Sequence, residues 1–132
     1  MPASMRHMSQ GDDEAARESL LMHGVLDMCV LALLAERPTH AYGVVERLQA
    51  HGFNHVTYGT VYPLTARLRK SGLLDQQLIP SDAGPARNVL TLNATGRHAL
   101  QRWSQQWEAT ATKTKARLSH ISSTDDGIRA DA

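Results

Sequence analysis

The chain has 132 residues, of which 42% are hydrophobic and 20% are charged, and its formal net charge is +1 at pH 7. This length suits one domain with an extension, and this composition supports a packed core and excludes wholesale disorder. The single cysteine, Cys29, excludes an intramolecular disulfide and indicates a reducing, cytoplasmic setting. The longest apolar run, 25–35, is interrupted by Asp27 and is too short to cross a bilayer, so we expect no membrane partner.

The first third of the chain predicts an arm followed by two helices. Residues 1–15 are polar and lack an apolar period, which is typical of a mobile arm, and the alternative is that they extend the first helix over a partner subunit. A helical pattern then runs over 16–36 and is apolar on nearly every side in its second half, so we expect a second subunit to cover one of its faces. Pro38 ends this helix, and Thr39 or His40 opens the next one, which runs to about Gln49 and is closed by Gly52.

The rest of the chain predicts a third helix, a hairpin and a last helix. The stretch YGTVYPLTARLRKSGLL, residues 58–74, predicts a helix that is closed by Gly72. The segments LLDQQLI and RNVLTL predict two strands joined by the loop PSDAGP. Asn93 is suited to cap a last helix over 93–120, and 121–132 is expected to be a disordered tail.

This order of elements is typical of a winged helix-turn-helix. Three helices followed by a hairpin make a mainly α fold with a small β-hairpin wing, an α+β arrangement in which the two middle helices form the helix-turn-helix. The winged domain would span 16–92, and the helix over 93–120 would serve for dimerisation.

The third helix has two contrasting faces. At about 100° per residue, Val61, Leu64 and Leu68 share one face and are predicted to pack on the other helices. The opposite side is aromatic and cationic, which suits a helix that enters the major groove of DNA, because tyrosine hydroxyls reach phosphates and basic side chains reach phosphates or guanine edges. It carries Tyr62, Pro63, Arg67, Arg69 and Lys70. The alternative is a solvated face, since three basic residues on one helix are common.

Three stretches resemble the PadR family of bacterial transcriptional regulators. They are LLMHGVLDMCVLALLAERPTHAYGVVERL, GTVYPLTARLRKSGLL and LTLNATGRHAL, and together they run from about Leu20 to Leu100. The single last helix is similar to that of the smaller PadR subgroup. The resemblance implies a homodimer that binds double-stranded operator DNA, acts as a repressor, and is released by a small molecule or a stress signal.

The resemblance also implies roles for single residues. Tyr42 matches the family tyrosine of the second helix, and Arg87 and Asn88 lie where family wings carry basic residues. The start of the recognition helix is matched by Thr60, Tyr62 and Pro63. The chain departs from the family pattern at Ala41, where glycine is usual, at Tyr58, where a small residue is common, and in its wing, which has a single arginine.

The last helix carries a stripe that predicts a dimer seam. We expect it to pair with the first helix of a partner subunit, through Leu20, Leu21, Leu100, Trp103, Trp107 and Leu118. In some members of the family an aromatic residue of this helix lines a cavity between subunits that binds flat drugs or phenolic compounds. Trp107, followed by Trp103, is the candidate contact for a small aromatic effector, and the alternative is that both rings fill the dimer core.

Other classes of function receive less support. No phosphate loop, nucleophile elbow or paired-carboxylate arrangement is present, so we expect neither catalysis nor a cofactor. A metal-sensing regulator is one alternative, with His51 and His55 or the histidines of the two chain ends as ligands, although Gly52 separates the first pair near a helix end. A winged-helix module used only for protein contacts is the other, because residues 20–102 carry a local net charge of only +3, from eight basic and five acidic residues.

Overall fold

A computed structural model of the chain describes the backbone of residues 9–131 and the side chains of residues 9–121. The described part is mostly helical with one small antiparallel sheet, and the predicted winged-helix class is confirmed. Its elements are α1 (Gln10–His23), α2 (Leu26–Glu36), β1 (Thr39–His40), α3 (Ala41–Ala50), α4 (Tyr58–Lys70), β2 (Leu74–Ser81), β3 (Gly84–Leu92) and α5 (Ala94–Asp131).

The first predicted helix is two helices, and it begins earlier than expected. Gly24 and Val25 separate α1 from α2, and the two axes differ by 55°. Residues 10–15 are helical, so the prediction of an irregular arm through residue 15 is wrong there, and residues 1–8 lie outside the described residues. The cause is a capping box: Asp12 N–H donates to Ser9 Oγ at 3.1 Å, and Asp12 Oδ2 accepts from Ser9 N–H at 3.4 Å.

Helix α2 lies at the centre of the molecule. It packs against α3, α4, α5 and β3, and its buried side chains include Val30 and Leu31, both fully covered. The apolar side chains on nearly all sides of the helix are therefore mostly buried within the chain, because neighbouring elements of the same chain surround the helix. Most of the helix is thus covered without a second subunit, and a partner on its remaining face stays a prediction.

Helices α3 and α4 form the helix-turn-helix, and both end as predicted on glycine. Gly52 and Gly72 have φ angles of 98° and 81°, in the left-handed region that glycine adopts without strain. At the end of α4, Leu73 N–H donates to the Leu68 carbonyl at 3.0 Å, which closes a Schellman motif. The predicted inner face of α4 is confirmed, since Val61, Leu64 and Leu68 are all buried.

The wing is longer than predicted and belongs to a three-stranded sheet. Its order is β1-β3-β2, with Thr39 opposite Leu90 and His40 opposite Val89. The two strands of the hairpin extend into the expected loop, so only residues 82–83 separate them, and the register shifts between Ile79 and Ser81, around Pro80. Proline is tolerated at such an irregularity because it has no N–H to donate to the ladder.

Asn93 connects the wing to α5. Its Oδ1 accepts from Gly96 N–H at 2.8 Å, which confirms the predicted cap. Its Nδ2 donates to the Gly72 carbonyl at 2.9 Å and to Asp75 Oδ1 at 3.1 Å. One side chain therefore ties the start of α5 to the end of the helix-turn-helix and to the base of the wing.

Helix α5 is 38 residues long and continues to Asp131. The predicted boundary near residue 120 and the predicted disordered tail are wrong for the backbone through residue 131. Leu100 and Trp103 pack on the core of the chain, whereas every described side chain from residue 112 to 121 is exposed. Among residues 9–131, no single helix is long and apolar enough to cross a membrane; α1 and α2 meet those requirements only together, as a bent pair.

Candidate nucleic-acid interface

A concave surface that encloses a volume of about 300 Å³ lies between the start of α3, the outer side of α4 and the wing. The structure brings together here five of the residues that the sequence predicted for DNA binding, namely Tyr42, Tyr62, Arg69, Arg87 and Asn88. Four polar residues that were not predicted also line it, namely His40, Tyr58, Thr65 and Gln76. We call this surface the α4–wing cleft.

Exposed tyrosines dominate one wall of the α4–wing cleft. Tyr42 is 57% exposed and Tyr62 is 53% exposed, although large aromatic side chains are usually covered in a single domain. Tyr58 and Tyr62 lie one turn apart on α4 and stack, with ring centroids 5.5 Å apart and an interplanar angle of 28°. The stack makes a rigid aromatic edge with two hydroxyl groups available to a partner.

The basic residues at the end of α4 have no acidic partners. Arg67, Arg69 and Lys70 are exposed, and within residues 9–121 their side chains form no ion pair or hydrogen bond. Arg47, by contrast, pairs with Glu36 at 3.3 Å and donates to the Arg37 carbonyl at 3.2 Å. The cations of α4 are therefore available to an anion, whereas Arg47 serves the fold.

The predicted outer face of α4 is divided between two grooves. Thr60, Pro63 and Arg67 line a second groove of about 280 Å³ between α4 and α1, which also contains Asp27. Lys70 lines neither groove and projects from the last turn of α4. Arg69 is therefore the basic residue of α4 that faces the wing.

The wing contributes Arg87 and Asn88 from β3. Arg87 lies opposite Ile79 and Asn88 lies opposite Leu78, and both β3 residues are exposed. Arg87 Nη1 lies 2.9 Å from His40 Nε2, across the sheet from the start of α3. This contact joins the wing to the helix-turn-helix at the edge of the α4–wing cleft.

The predicted dimer and effector residues lie away from the α4–wing cleft. Trp103 and Trp107 line a groove of about 430 Å³ between α5 and the junction of α1 with α2, and Leu21 lines its other side. Leu20 is 67% exposed and Leu118 is 61% exposed. Leu100 is half-buried on the core of its own chain. The tryptophan groove is lined by residues of one chain, and its place between subunits stays a prediction.

Among the described residues, no cluster of side chains forms a metal site, and Cys29 is not a reactive thiol. No three His, Cys, Asp or Glu side chains among them lie close enough together to hold a metal ion. Burial raises the pKa of the Cys29 thiol, and the Asp27 carboxylate raises it further. Cys29 is therefore a neutral packing residue at neutral pH.

Two residues of the α4–wing cleft, His40 and Tyr58, were not predicted to bind DNA from the sequence. His40 was predicted only as an opening position for α3, and its neighbour Arg87 is 47 positions away in sequence. Tyr58 was noted only as a departure from the family pattern, although its spacing of four from Tyr62 already places the two rings on one side of a helix.

Comparisons with known proteins agree with this architecture. Residues 30–102 match the family described as "Transcriptional regulator PadR-like family". The fold is similar to that of a PadR-like transcriptional regulator from Bacillus cereus, with 29% sequence identity and a TM-score of 0.68, over 75% of this chain and 96% of that one. A PadR family transcriptional regulator from Eggerthella lenta matches with 29% identity and a TM-score of 0.72, over 81% of this chain and 94% of that one.

A transcriptional regulator from Streptococcus is 31% identical, with a TM-score of 0.67, over 73% of this chain and 94% of that one. None of the curated proteins compared matches the sequence. The family match covers more than half of the chain and includes the helix-turn-helix, the wing and the start of α5. The protein is therefore a member of the PadR-like family of transcriptional regulators and is not an enzyme.

Proposed function

We propose that this protein is a sequence-specific DNA-binding repressor that acts as a homodimer on operator DNA and is released by a small aromatic molecule or a stress signal. The observation that carries the proposal is the α4–wing cleft, where exposed tyrosines meet the basic side chains of Arg69 and Arg87 on one surface. An aromatic and cationic surface of this kind fits a partner with regularly spaced phosphates.

Helix α4 and the wing are suited to bind different parts of the DNA. An exposed recognition helix fits the major groove, and α4 offers Tyr62 and Arg69 on its outer side. Tyrosine hydroxyls and arginine side chains bind phosphate oxygens, and arginine also binds guanine edges. Arg87 at the edge of the wing reaches toward the flanking backbone, so the wing adds affinity beside the helix.

The homodimer is supported by apolar side chains that the chain leaves uncovered. Leu20 and Leu21 are exposed on α1, and Leu118 and Ile121 are exposed on the far part of α5. A helix of 38 residues is about 57 Å long, so the far part of α5 extends well past the core and can reach a second copy. Two-fold symmetry would then place two copies of α4 about one DNA turn apart on a pseudo-palindromic operator. Light scattering that shows a monomer at micromolar concentration would contradict the dimer.

The tryptophan groove is the proposed effector site. Its volume of about 430 Å³ and its two indole rings suit a flat aromatic molecule. Trp103 is half-buried and Trp107 is 45% exposed, so the variants Trp103→Phe and Trp107→Phe separate their fluorescence. We expect planar aromatic compounds to quench Trp107 and to weaken DNA binding, and the absence of quenching across a varied panel would contradict an effector site here.

The test of the function is fluorescence anisotropy of the full chain with DNA from upstream of its own gene, at several salt concentrations and beside a random-sequence competitor. We expect binding that survives the competitor and weakens steeply with salt, because phosphate contacts release counterions. The absence of binding at low salt would favour the alternative of a winged-helix module for protein contacts. Equal binding of both DNAs would contradict sequence specificity.

A further inference from the structure

His40 stands where β1 ends and α3 begins, and its imidazole has neighbours on both nitrogens. Nδ1 lies 3.2 Å from the Gly43 amide nitrogen and 3.2 Å from Thr39 Oγ1. Nε2 lies 2.9 Å from Arg87 Nη1 on the wing. The ring therefore sits between the first turn of the helix-turn-helix and the basic residue of the wing.

Counting protons shows that these contacts cannot all be hydrogen bonds at once. The Gly43 N–H and the Arg87 guanidinium can only donate, and a neutral imidazole offers a single unprotonated nitrogen as an acceptor. The contact of Nε2 with the arginine donor, at 2.9 Å, requires an unprotonated Nε2 and a proton on Nδ1, whereas the N-cap bond from Gly43 N–H to Nδ1, at 3.2 Å, requires the opposite tautomer. In the first arrangement, which has the shorter contact, Nδ1–H donates to Thr39 Oγ1 and the cap of α3 is given up.

We propose that His40 is a positioning residue that holds Arg87 at the edge of the α4–wing cleft, a role that rests on the proposed DNA-binding function. An arginine side chain has five N–H donors, and the bond to Nε2 uses one of them. The remaining donors of Arg87 are free to bind DNA while the guanidinium stays in place. Holding a long side chain in advance lowers the entropy that is lost on binding.

The absence of a side chain at Gly43 makes room for the His40 ring in this arrangement. Gly43 is buried directly beneath the ring, and a Cβ there would collide with Thr39 Oγ1 and would lie 2.8 Å from His40 Nδ1. Glycine at this position therefore lets Thr39 and the imidazole lie close over the start of α3, where they face the wing.

The first test reads the tautomer and needs no DNA. In two-bond ¹H–¹⁵N spectra of the full chain, His40→Asn identifies the His40 ring among seven histidines by the loss of its signals. We expect a protonated Nδ1 and an unprotonated Nε2 in the wild type. In Arg87→Ala we expect the proton to move to Nε2, because Nδ1 is then free to accept from Gly43. A wild-type ring that is protonated on Nε2 would overturn the proposal.

The second test separates positioning from capping. Asparagine is a good N-cap residue but is too short to reach Arg87, so His40→Asn keeps α3 capped and its thermal midpoint should be no lower than that of the wild type. We expect His40→Asn to weaken binding to DNA from upstream of the gene by about 2- to 10-fold per protomer. The same change in an Arg87→Ala background should have no effect, and an equal loss in both backgrounds would overturn the proposal.

The two tests keep this inference apart from the proposed function. If the wild type binds no DNA, the proposed function fails, while the ring spectra still decide whether His40 holds Arg87. If the wild type binds DNA and His40→Asn binds it equally well, the inference fails alone.

Discussion

Replacing Arg69 by alanine should change how strongly salt weakens DNA binding. Four exposed cations per protomer lie on α4 and the wing, namely Arg67, Arg69, Lys70 and Arg87. If each neutralises one phosphate, a dimer makes eight such contacts, and the slope of log K against log salt is about −7. Arg69→Ala removes two contacts and should reduce the slope to about −5.4. Between about 50 and 200 mM salt, the wild type would lose about 10⁴-fold in affinity and the variant about 10³-fold.

The assay is fluorescence anisotropy over a salt series, with Arg102→Ala as a matched control. Arg102 is exposed on α5, so its removal changes the net charge equally without touching the α4–wing cleft. Equal slopes for the two variants would refute the placement of Arg69 on the DNA backbone. An unchanged slope with weaker binding to the operator alone would instead assign Arg69 to a base edge.

Three further changes test the fold around this surface. Leu64→Ala empties a buried position of α4 and should lower the free energy of unfolding by about 2–5 kcal/mol, measured by urea titration; an unchanged midpoint would contradict a core role. Asn93→Ala should lower the free energy of unfolding by about 1–2 kcal/mol in the same assay. Asn93→Ser should restore the bond that caps α5 but not the bond to the Gly72 carbonyl, because serine is too short to reach it. Cys29, whose pKa is raised by burial, should react with iodoacetamide near neutral pH much more slowly in the folded chain than in urea, and equal rates would contradict its burial.

The elements that the sequence predicted well are those with strong local signals. Gly52 and Gly72 mark helix ends because only glycine takes their backbone angles freely, and Asn93 marks a helix start because its side chain accepts from the first turn. The inner face of α4 follows from its period, since Val61 and Leu64 fall on one side of a helix.

The features that escaped prediction depend on contacts between distant residues or on weak local signals. The strand Thr39–His40 has two residues and exists only through its pairing with β3. The break at Gly24 lies inside a run with helical character on both sides, and Gly24 does not adopt the left-handed backbone angles that mark the ends of α3 and α4. The contact between His40 and Arg87 joins positions 47 apart, so no local pattern contains it.

The central claim is that α4 and the wing form the surface that binds DNA, and backbone amide NMR of the full chain tests it most directly. Titration with DNA from upstream of the gene should shift the amide signals of residues 58–70 and 84–92 most strongly. The Arg69 and Arg87 amides should be among the most affected. Shifts confined to α1 and the far part of α5, with α4 and the wing unchanged, would contradict the account.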